Sequence, residues 1–407
     1  MQIKPILSAL WHHKAGTALI VLQVALTLAI VCNALFIIQQ RVARLSRPSG
    51  VDEAHVLVIQ NQWVGSPTDT QMSAMTQADL NTLRNVPGVA NAFASNAHPL
   101  GNSGWSKGLR YSIDQKTPTT SSALYFADEQ AISTLGLKLI AGRNFRSDEI
   151  SPLSVRGTMA PSAIIITKAL ADTLYPDGTA VGKSISVGTA PPSTIIGVVD
   201  RLQTWIGSFT HLWVEHSTLV PYRLLAASTI YVVRAQPGQL ADVARNAPKA
   251  LLAANRMRVI GPKDVLTYDE IRAATYKTDR GMAILMGVIC IVLLAATTAG
   301  IVGLTSFWVS QRRKQIGVRR ALGATRGDIL SYFCTENLLI TLGGVFIGAL
   351  LAVGLNLLMI DRFEMARLSL AYVAMGAVVL LLLGQSAVLA PALRASRLSP
   401  VEATRSV

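Results

Sequence analysis

Charge is scarce in this sequence. Of 407 residues, 15% are Asp, Glu, Lys or Arg, against about 25% in an ordinary soluble domain. That excludes an ordinary cytosolic enzyme, and with 51% hydrophobic residues it also excludes a disordered chain. Acids are scarcer than bases, 23 against 37, which leaves a net charge of +14. There are three cysteines, Cys32, Cys290 and Cys334. An odd number inside apolar stretches makes no disulfide framework. Six histidines are scattered and none has ligand spacing, so no metal site is expected. The His12-His13 pair reads as interfacial. No nucleophile–base constellation stands out, and no enzyme activity is expected of this chain.

What the sequence has instead is four long apolar runs: Ala15–Ile38, Met282–Val309, Asn337–Ile360 and Leu368–Leu393. A bilayer core needs about 20 apolar residues of helix, and each run is long enough. The first is too long for the h-region of a signal peptide and lacks an A-x-A site, so it reads as a retained span. No acid or base lies mid-span, which argues against an ion or proton pathway.

The charge then falls into place. With both termini cytoplasmic, the inner segments hold Lys4, Lys14, Arg312, Arg313, Lys314, Arg319, Arg320, Arg326, Arg394, Arg397 and Arg405, against Asp328 and Glu402. That is +9 of the +14, as the positive-inside rule expects. Arg41, Arg44 and Arg47, just outside the first span, run against the pattern. The basic balance is therefore an orientation signal. A nucleic-acid partner is not expected, because no soluble basic module carries it.

Between the first two runs lie about 240 residues of mixed strand and helix. Strands are expected at His55–Asn61, Val89–Ser95, Ala163–Ile166, Ser184–Val187, Thr194–Val199, Thr229–Arg234 and Met257–Ile260, and helices at Lys168–Leu174 and Ala241–Ala254. Thr76 and Asp79 look like the N-cap and third residue of a helix that ends near Pro87-Gly88, giving a β-α-β unit. Gly and Pro at 99–118 and 187–193 suggest long loops or subdomain edges. Thr267 and Glu270 form a second capping box. From there an unbroken helical pattern is expected to run into the second span as a stalk. Asp177–Ser184 (DGTAVGKS) is one residue out of register for a P-loop and reads as a turn before a strand.

The densest basic stretch is RRKQIGVRRALGAT at 312–325. Read as a helix, it sets Val318, Ala321, Leu322, Thr325 and Ile329 on one side. Arg312, Arg313, Arg319, Arg320 and Arg326 fall on the other. Such a helix suits the inner membrane surface or a groove on a partner. The stretch resembles the signature after the second span of MacB/FtsX-type ABC transporter permeases, roughly R-R-[KR]-[EQ]-I-G-[VI]-R-[RK]-A-L-G-A. GLKLIAGRNF at 136–145, IIITKALADTLYPDGTAVGKSI at 164–185, IIGVVD at 195–200, the acid Glu336 and the tail APALRASRLSPVEATR at 390–405 are similar to other parts of that family. Thr404 stands where Leu is usual.

The resemblance implies a membrane protein of four transmembrane α-helices with a large α+β extracytoplasmic domain between helices 1 and 2. The expected divisions are 1–40 for the N-terminus and first span and 41–266 for the periplasmic core domain, with a β-rich insert near 110–220. They continue as 267–309 for stalk and second span, 310–328 for a cytoplasmic coupling helix, and 329–360 for the third span. The remainder is 361–367 for a short outer loop, 368–393 for the fourth span and 394–407 for a cytoplasmic tail. The coupling residues are expected to be Arg312, Arg313, Lys314, Ile316, Gly317, Val318, Arg319, Arg320, Ala321, Leu322 and Gly323, with Glu336 as an interface acid. Gly343, Gly344 and Gly348 are expected to pack helices, within the chain or across a dimer.

The implied function is that of a permease subunit. ATP hydrolysis by a separate ABC ATPase dimer would drive movement of the outer domain (mechanotransmission), for export or efflux with adaptor proteins. No ATPase domain precedes the first span, so ATP and Mg are expected on the partner and no cofactor in this chain. Other implied partners are a second copy or a similar permease chain, a periplasmic adaptor with an outer-membrane channel, and the lipid bilayer. The implied location is the bacterial inner membrane. The alternative is a membrane-anchored sensor, scaffold or regulator of periplasmic proteins such as cell-wall hydrolases.

Overall fold

A computed structural model describes residues 14–207, 213–363 and 367–397. His12, His13 and the closing segment from 398 lie outside the described residues. The helices in chain order are α1 (Lys14–Leu45), α2 (Asp69–Arg84), α3 (Ala131–Leu135), α4 (Lys168–Leu174), α5 (Leu240–Ala254), α6 (Tyr268–Thr275), α7 (Lys277–Gln311), α8 (Arg313–Ala321), α9 (Arg326–Phe363) and α10 (Leu370–Ser396). The strands are β1 (Val56–Trp63), β2 (Val89–Ser95), β3 (Trp105–Arg110), β4 (Thr120–Phe126), β5 (Leu139–Gly142), β6 (Ser151–Ser154), β7 (Ala163–Thr167), β8 (Ser184–Val187), β9 (Pro192–Val199), β10 (Ser217–Val220), β11 (Tyr222–Leu225), β12 (Ser228–Ala235), β13 (Arg258–Val259) and β14 (Val265–Thr267). The chain divides into two units, one of residues 1–43 with 279–407 and one of residues 44–278.

In the first unit, α1, α7, α9 and α10 are each long and apolar enough to cross a bilayer. Lipid offers no hydrophobic drive between helices, so close packing and polar contacts must hold them. Gly344 and Gly348 of α9 supply the close packing. A Cβ on Gly344 would stand 2.7 Å from Val24 Cβ, and one on Gly348 would stand 2.8 Å from the Ala25 carbonyl oxygen. These two glycines seat α9 on α1 within the chain, whereas Gly343 has its nearest neighbour, on Val21, at 4.0 Å. Polar contacts do the rest. Thr27 meets Thr297 at 2.7 Å. Asn33 donates to the Ala352 carbonyl at 3.1 Å and Asn337 to the Gly384 carbonyl at 3.0 Å. Arg41, which ran against the charge pattern, is paired with Asp279, so its charge is locally neutralised. Cys32, Cys290 and Cys334 are all free thiols.

The second unit has two large sheets and a third made of the parallel pair β6 and β11. The first has the order β13-β1-β12-β2, with β14 also on β1, and all its pairings are antiparallel. β1 and β2 thus run parallel with β12 between them, a split β-α-β unit around α2. Both faces of β1 are covered over its first half, where Val56–Ile59 is a continuous apolar run. Leu57 and Ile59 pack with α2 and α5, through Leu80, Leu83, Val243 and Leu251. Val56 and Val58 pack with Tyr125, Ile165, Val199 and Leu219 of the second sheet. The second sheet closes on itself through β9-β7-β10-β4-β3-β8, because β8 also pairs with β9, and β5 adds to the far end of β9. Leu124, Phe126, Ile164, Ile166, Ile185, Ile195 and Val220 form its core.

Three local expectations are corrected here. First, α2 begins at Asp69, where Thr68 and Gln71 make the capping box. Thr76 and Asp79 are interior and buried. Asp79 is held in a buried bidentate pair with Arg258, at 2.8 and 2.7 Å. Second, Trp105–Arg110 is a barrel strand rather than part of a long loop, so the β-rich part begins before residue 110. Third, the helical run from Thr267 breaks at Tyr276, between α6 and α7. Tyr276 is 1% exposed, and its hydroxyl accepts a bond from Gln203 at 3.3 Å. Burying that ring in the core of the second unit ends the helix. The DGTAVGKS segment forms a turn, with Asp177 bonded to Lys183 at 2.8 Å and to Thr179, ahead of β8.

Candidate functional site: the loop between the second and third spans

The segment after α7 is built from short-range rules. Arg312 leaves the helical conformation (φ −93°, ψ 11°), and α8 starts at the next residue. The Ile316 amide still bonds the Arg312 carbonyl, at 2.9 Å. At the other end Gly323 takes φ +98°, which favours glycine. The Gly323 amide bonds the Arg320 carbonyl at 3.1 Å and the Ala324 amide bonds the Arg319 carbonyl at 3.1 Å. This is the paired bond pattern that closes helices on a left-handed glycine. Thr325 then caps α9. Its hydroxyl accepts from the Asp328 amide at 3.2 Å, and the Asp328 carboxylate accepts from the Thr325 amide at 2.9 Å. The helix expected over 310–328 is therefore nine residues long, and Thr325 and Asp328 belong to the start of the next element.

Two anchors fix α8. Arg312 Nη1 donates to both carboxylate oxygens of Glu336, at 3.0 and 2.9 Å. The two side chains are 12% and 3% exposed, so loss of Arg312 would leave the Glu336 carboxylate largely away from water. Ile316 is the second anchor, packed with Ile329, Phe333 and Trp308. Arg320 also donates to the Ser396 carbonyl at 3.1 Å, tying α8 to the end of α10. Arg319 lies over the Tyr332 ring at 5.1 Å, a cation–π geometry.

The faces differ from the sequence expectation. Arg312 and Arg320 turn toward the protein, and Ile316 and Gly317 are buried. Val318 and Leu322 are 52% and 83% exposed. Arg313, Lys314, Arg319, Ala321 and Gly323 are exposed as well. Lys314, Val318 and Leu322, spaced four apart, form one exposed stripe, flanked by arginines. Of the apolar side read from sequence, Ile329 is buried on α9 and Thr325 is a cap. Periodicity alone could not tell which apolar residue faces in, because Ile316 and Val318 lie about 200° apart on the same helix.

Nothing in this site suits covalent chemistry. It has no nucleophile–base pair, and among the described residues there is no group of three His, Cys, Asp or Glu residues able to hold a metal. What the geometry presents is an exposed Lys314–Val318–Leu322 stripe, bordered by arginines, on a helix anchored from behind.

Two family models match. The MacB-like periplasmic core domain covers residues 17–250 and the FtsX-like permease C-terminal region covers 287–400. The macrolide export ATP-binding/permease protein MacB of Chromobacterium violaceum is 31% identical over 276 residues, 66% of this chain and 41% of that protein. MacB of Acinetobacter baylyi is 28% identical over 341 residues, 80% of this chain and 48% of that protein. The chain thus spans under half the length of these relatives. Among solved structures, the periplasmic region of MacB from Actinobacillus actinomycetemcomitans aligns with 57% of this chain and 97% of its own length, at 15% identity and a TM-score of 0.35. The extracellular domain of the Gram-positive transporter YknZ covers 50% of this chain and 99% of its own length, at 19% identity and a TM-score of 0.32. The two matched regions take in the large α+β domain together with the spans on either side of it, so this chain belongs to the MacB/FtsX-type ABC transporter permeases, multi-pass membrane proteins with an extracytoplasmic domain between the first and second spans.

Proposed function

We propose that this chain is the membrane subunit through which a separate ABC ATPase dimer moves the extracytoplasmic domain, and that α8 is the helix on which the ATPase docks. The observation that carries this reading is the exposed Lys314–Val318–Leu322 stripe on a helix held from behind by Arg312–Glu336 and Ile316. Force can be passed only through a helix that does not rock on its base. ATP and Mg belong to the partner, and this chain supplies no catalytic group. The loop and both termini face the cytoplasm, across a bacterial inner membrane. A second copy or a similar permease chain completes the complex. Movement of residues 44–278 serves export or efflux together with adaptor proteins and an outer-membrane channel, the relatives being named for macrolide export.

The test is co-expression of the full chain with the ABC ATPases of its own organism. A stable complex whose ATPase rate responds to this chain supports the reading. Failure to associate with any of them contradicts it.

A further inference from the structure

A second feature lies at the same end of the first unit, away from the exposed stripe of α8. A cavity of about 250 Å³ opens between the last turns of α7 and α10. It has room for about eight waters at ~30 Å³ each. Arg313 and Arg394 line it with Ser306 and Ser310, over an apolar floor that includes Val309 and Pro391. Ser306, Val309 and Ser310 share one face of the last turns of α7, Pro391 and Arg394 lie three apart on α10, and Arg313 is the first residue of α8, just past the break at Arg312. Both arginines and both serines are exposed, while Pro391 is buried. Among the described residues no hydrogen bond or ion pair engages either arginine side chain or either serine hydroxyl. No acid lines the cavity.

The site is therefore two unspent cations and two hydroxyl donors at the ends of two spans, above an apolar floor. We infer that this cavity binds the phosphate of an anionic glycerophospholipid, with Arg313 and Arg394 on the phosphate oxygens and the glycerol backbone on Val309 and Pro391. A basic pocket between spans on the cytoplasmic side has the chemistry to hold such a headgroup, and the arginine fork matches phosphate better than an ammonium would. The position favours lipid over a protein partner. Six of the seven lining residues lie on the spans and the seventh, Arg313, stands at the first position of α8, whereas an aqueous partner meets α8 on the Lys314–Val318–Leu322 stripe. The role gives Arg313 a purpose apart from ATPase docking. It rests on the membrane reading of the helices and not on the presence of an ATPase.

The experiment is native mass spectrometry of the full chain in detergent, titrated with phosphatidylglycerol and phosphatidylcholine of identical acyl chains. The wild type retains phosphatidylglycerol in preference. Arg394→Gln lowers that preference about fivefold, and the Arg313→Gln/Arg394→Gln pair removes it, as a contribution near that size from each arginine predicts. Arg397→Gln loses the same charge outside the cavity and keeps the preference. The single variant serves if the double variant does not fold. The inference is overturned if the double variant keeps its preference, or if Arg397→Gln lowers it equally. It is also overturned if inorganic phosphate at the same concentration displaces the lipid, which would mark a soluble-anion site. Loss of ATPase association with lipid retention unchanged would mark a protein-docking site and overturn it too. A Leu322→Glu chain that fails to stimulate an ATPase but keeps its lipid preference separates this inference from the proposed function.

Discussion

Two buried arginine–carboxylate pairs, one in each unit, carry different tasks. Arg258–Asp79 is 0% and 3% exposed. Tyr231 donates to the same carboxylate at 2.5 Å, Arg258 lies 4.3 Å over the Trp63 ring, and it also donates to the Asn255 carbonyl. One cluster thus joins β13, α2, β12 and β1. Arg258 uses all three of its guanidinium nitrogens on protein acceptors, so the cluster acts as a staple of the outer domain. Arg312–Glu336 instead shares one guanidinium nitrogen between both carboxylate oxygens, Arg312 keeps some contact with water, and the pair sits under a nine-residue helix whose outer face is exposed. The same chemistry holds a fold together in one place and, on the proposed function, holds the docking helix in position in the other.

The comparison can be broken from its stronger side first. Arg258→Ala leaves Asp79 buried without its partner, and breaking such a pair costs about 3–5 kcal/mol. Thermal unfolding of the full chain in detergent should drop sharply, or the chain should fail to accumulate. A double change of Arg258→Met with Asp79→Leu should recover much of that loss. Glu336→Gln should cost less stability, because Arg312 can turn to water. It should lower stimulated ATPase activity by more than its effect on unfolding accounts for.

A prediction of intermediate size concerns α1 and α9. Gly348→Val forces side-chain atoms against the Ala25 backbone, and overpacking of this kind costs about 1–3 kcal/mol. Gly343→Ala, with nothing nearer than 4.0 Å, should leave unfolding unchanged. Equal effects of the two would mean that α9 is seated elsewhere.

The smallest effects come from a lone acid and a cap. Burial pushes the Asp128 carboxyl up to about 6, from an ordinary 3.8, with Arg84 pulling weakly the other way. Its folded form therefore keeps a proton that the unfolded form has released. Stability falls as pH rises from about 4 to 6 and stays lower above that. Asp128→Asn should flatten this fall and raise stability at pH 7 by up to about 2 kcal/mol, read as the pH dependence of unfolding. Thr267→Ala removes the side chain that accepts from the Glu270 amide at 3.4 Å and should cost about 1 kcal/mol. This loss should show as faster hydrogen exchange across α6.

Much of the fold was readable because neighbours in sequence carry it. The β-branched and apolar runs at Val89–Ser95 and Ser184–Val187, the short helix Lys168–Leu174 and the four apolar spans all signal locally, and the basic loop carries its motif in one stretch. What could not be read depends on distant partners. Trp105–Arg110 contains Ser, Lys and Gly and becomes a strand only by pairing with β4 and β8. Tyr276 ends a helix because a core far along the chain takes its ring. Arg312 and Glu336 meet across 24 residues and two helix ends, which no spacing rule announces. Asp79 looked like a cap residue because the true box, Thr68 with Gln71, uses an amide in place of an acid. The facing of α8 needed Ile329 and Phe333, which fix Ile316 inward and leave Val318 and Leu322 outside.

The central claim is that the exposed stripe of α8 is where the ATPase takes hold. The most direct measurement compares wild type with Leu322→Glu, reconstituted with the partner ATPase, reading both ATPase rate and complex formation. Leu322 is 83% exposed, so the substitution leaves unfolding of the chain unchanged. The account predicts loss of complex formation and of the ATPase response by tenfold or more, on the order of the 2 kcal/mol or above that an interface hot spot carries. A Leu322→Glu chain that binds and stimulates the ATPase as wild type does would contradict it.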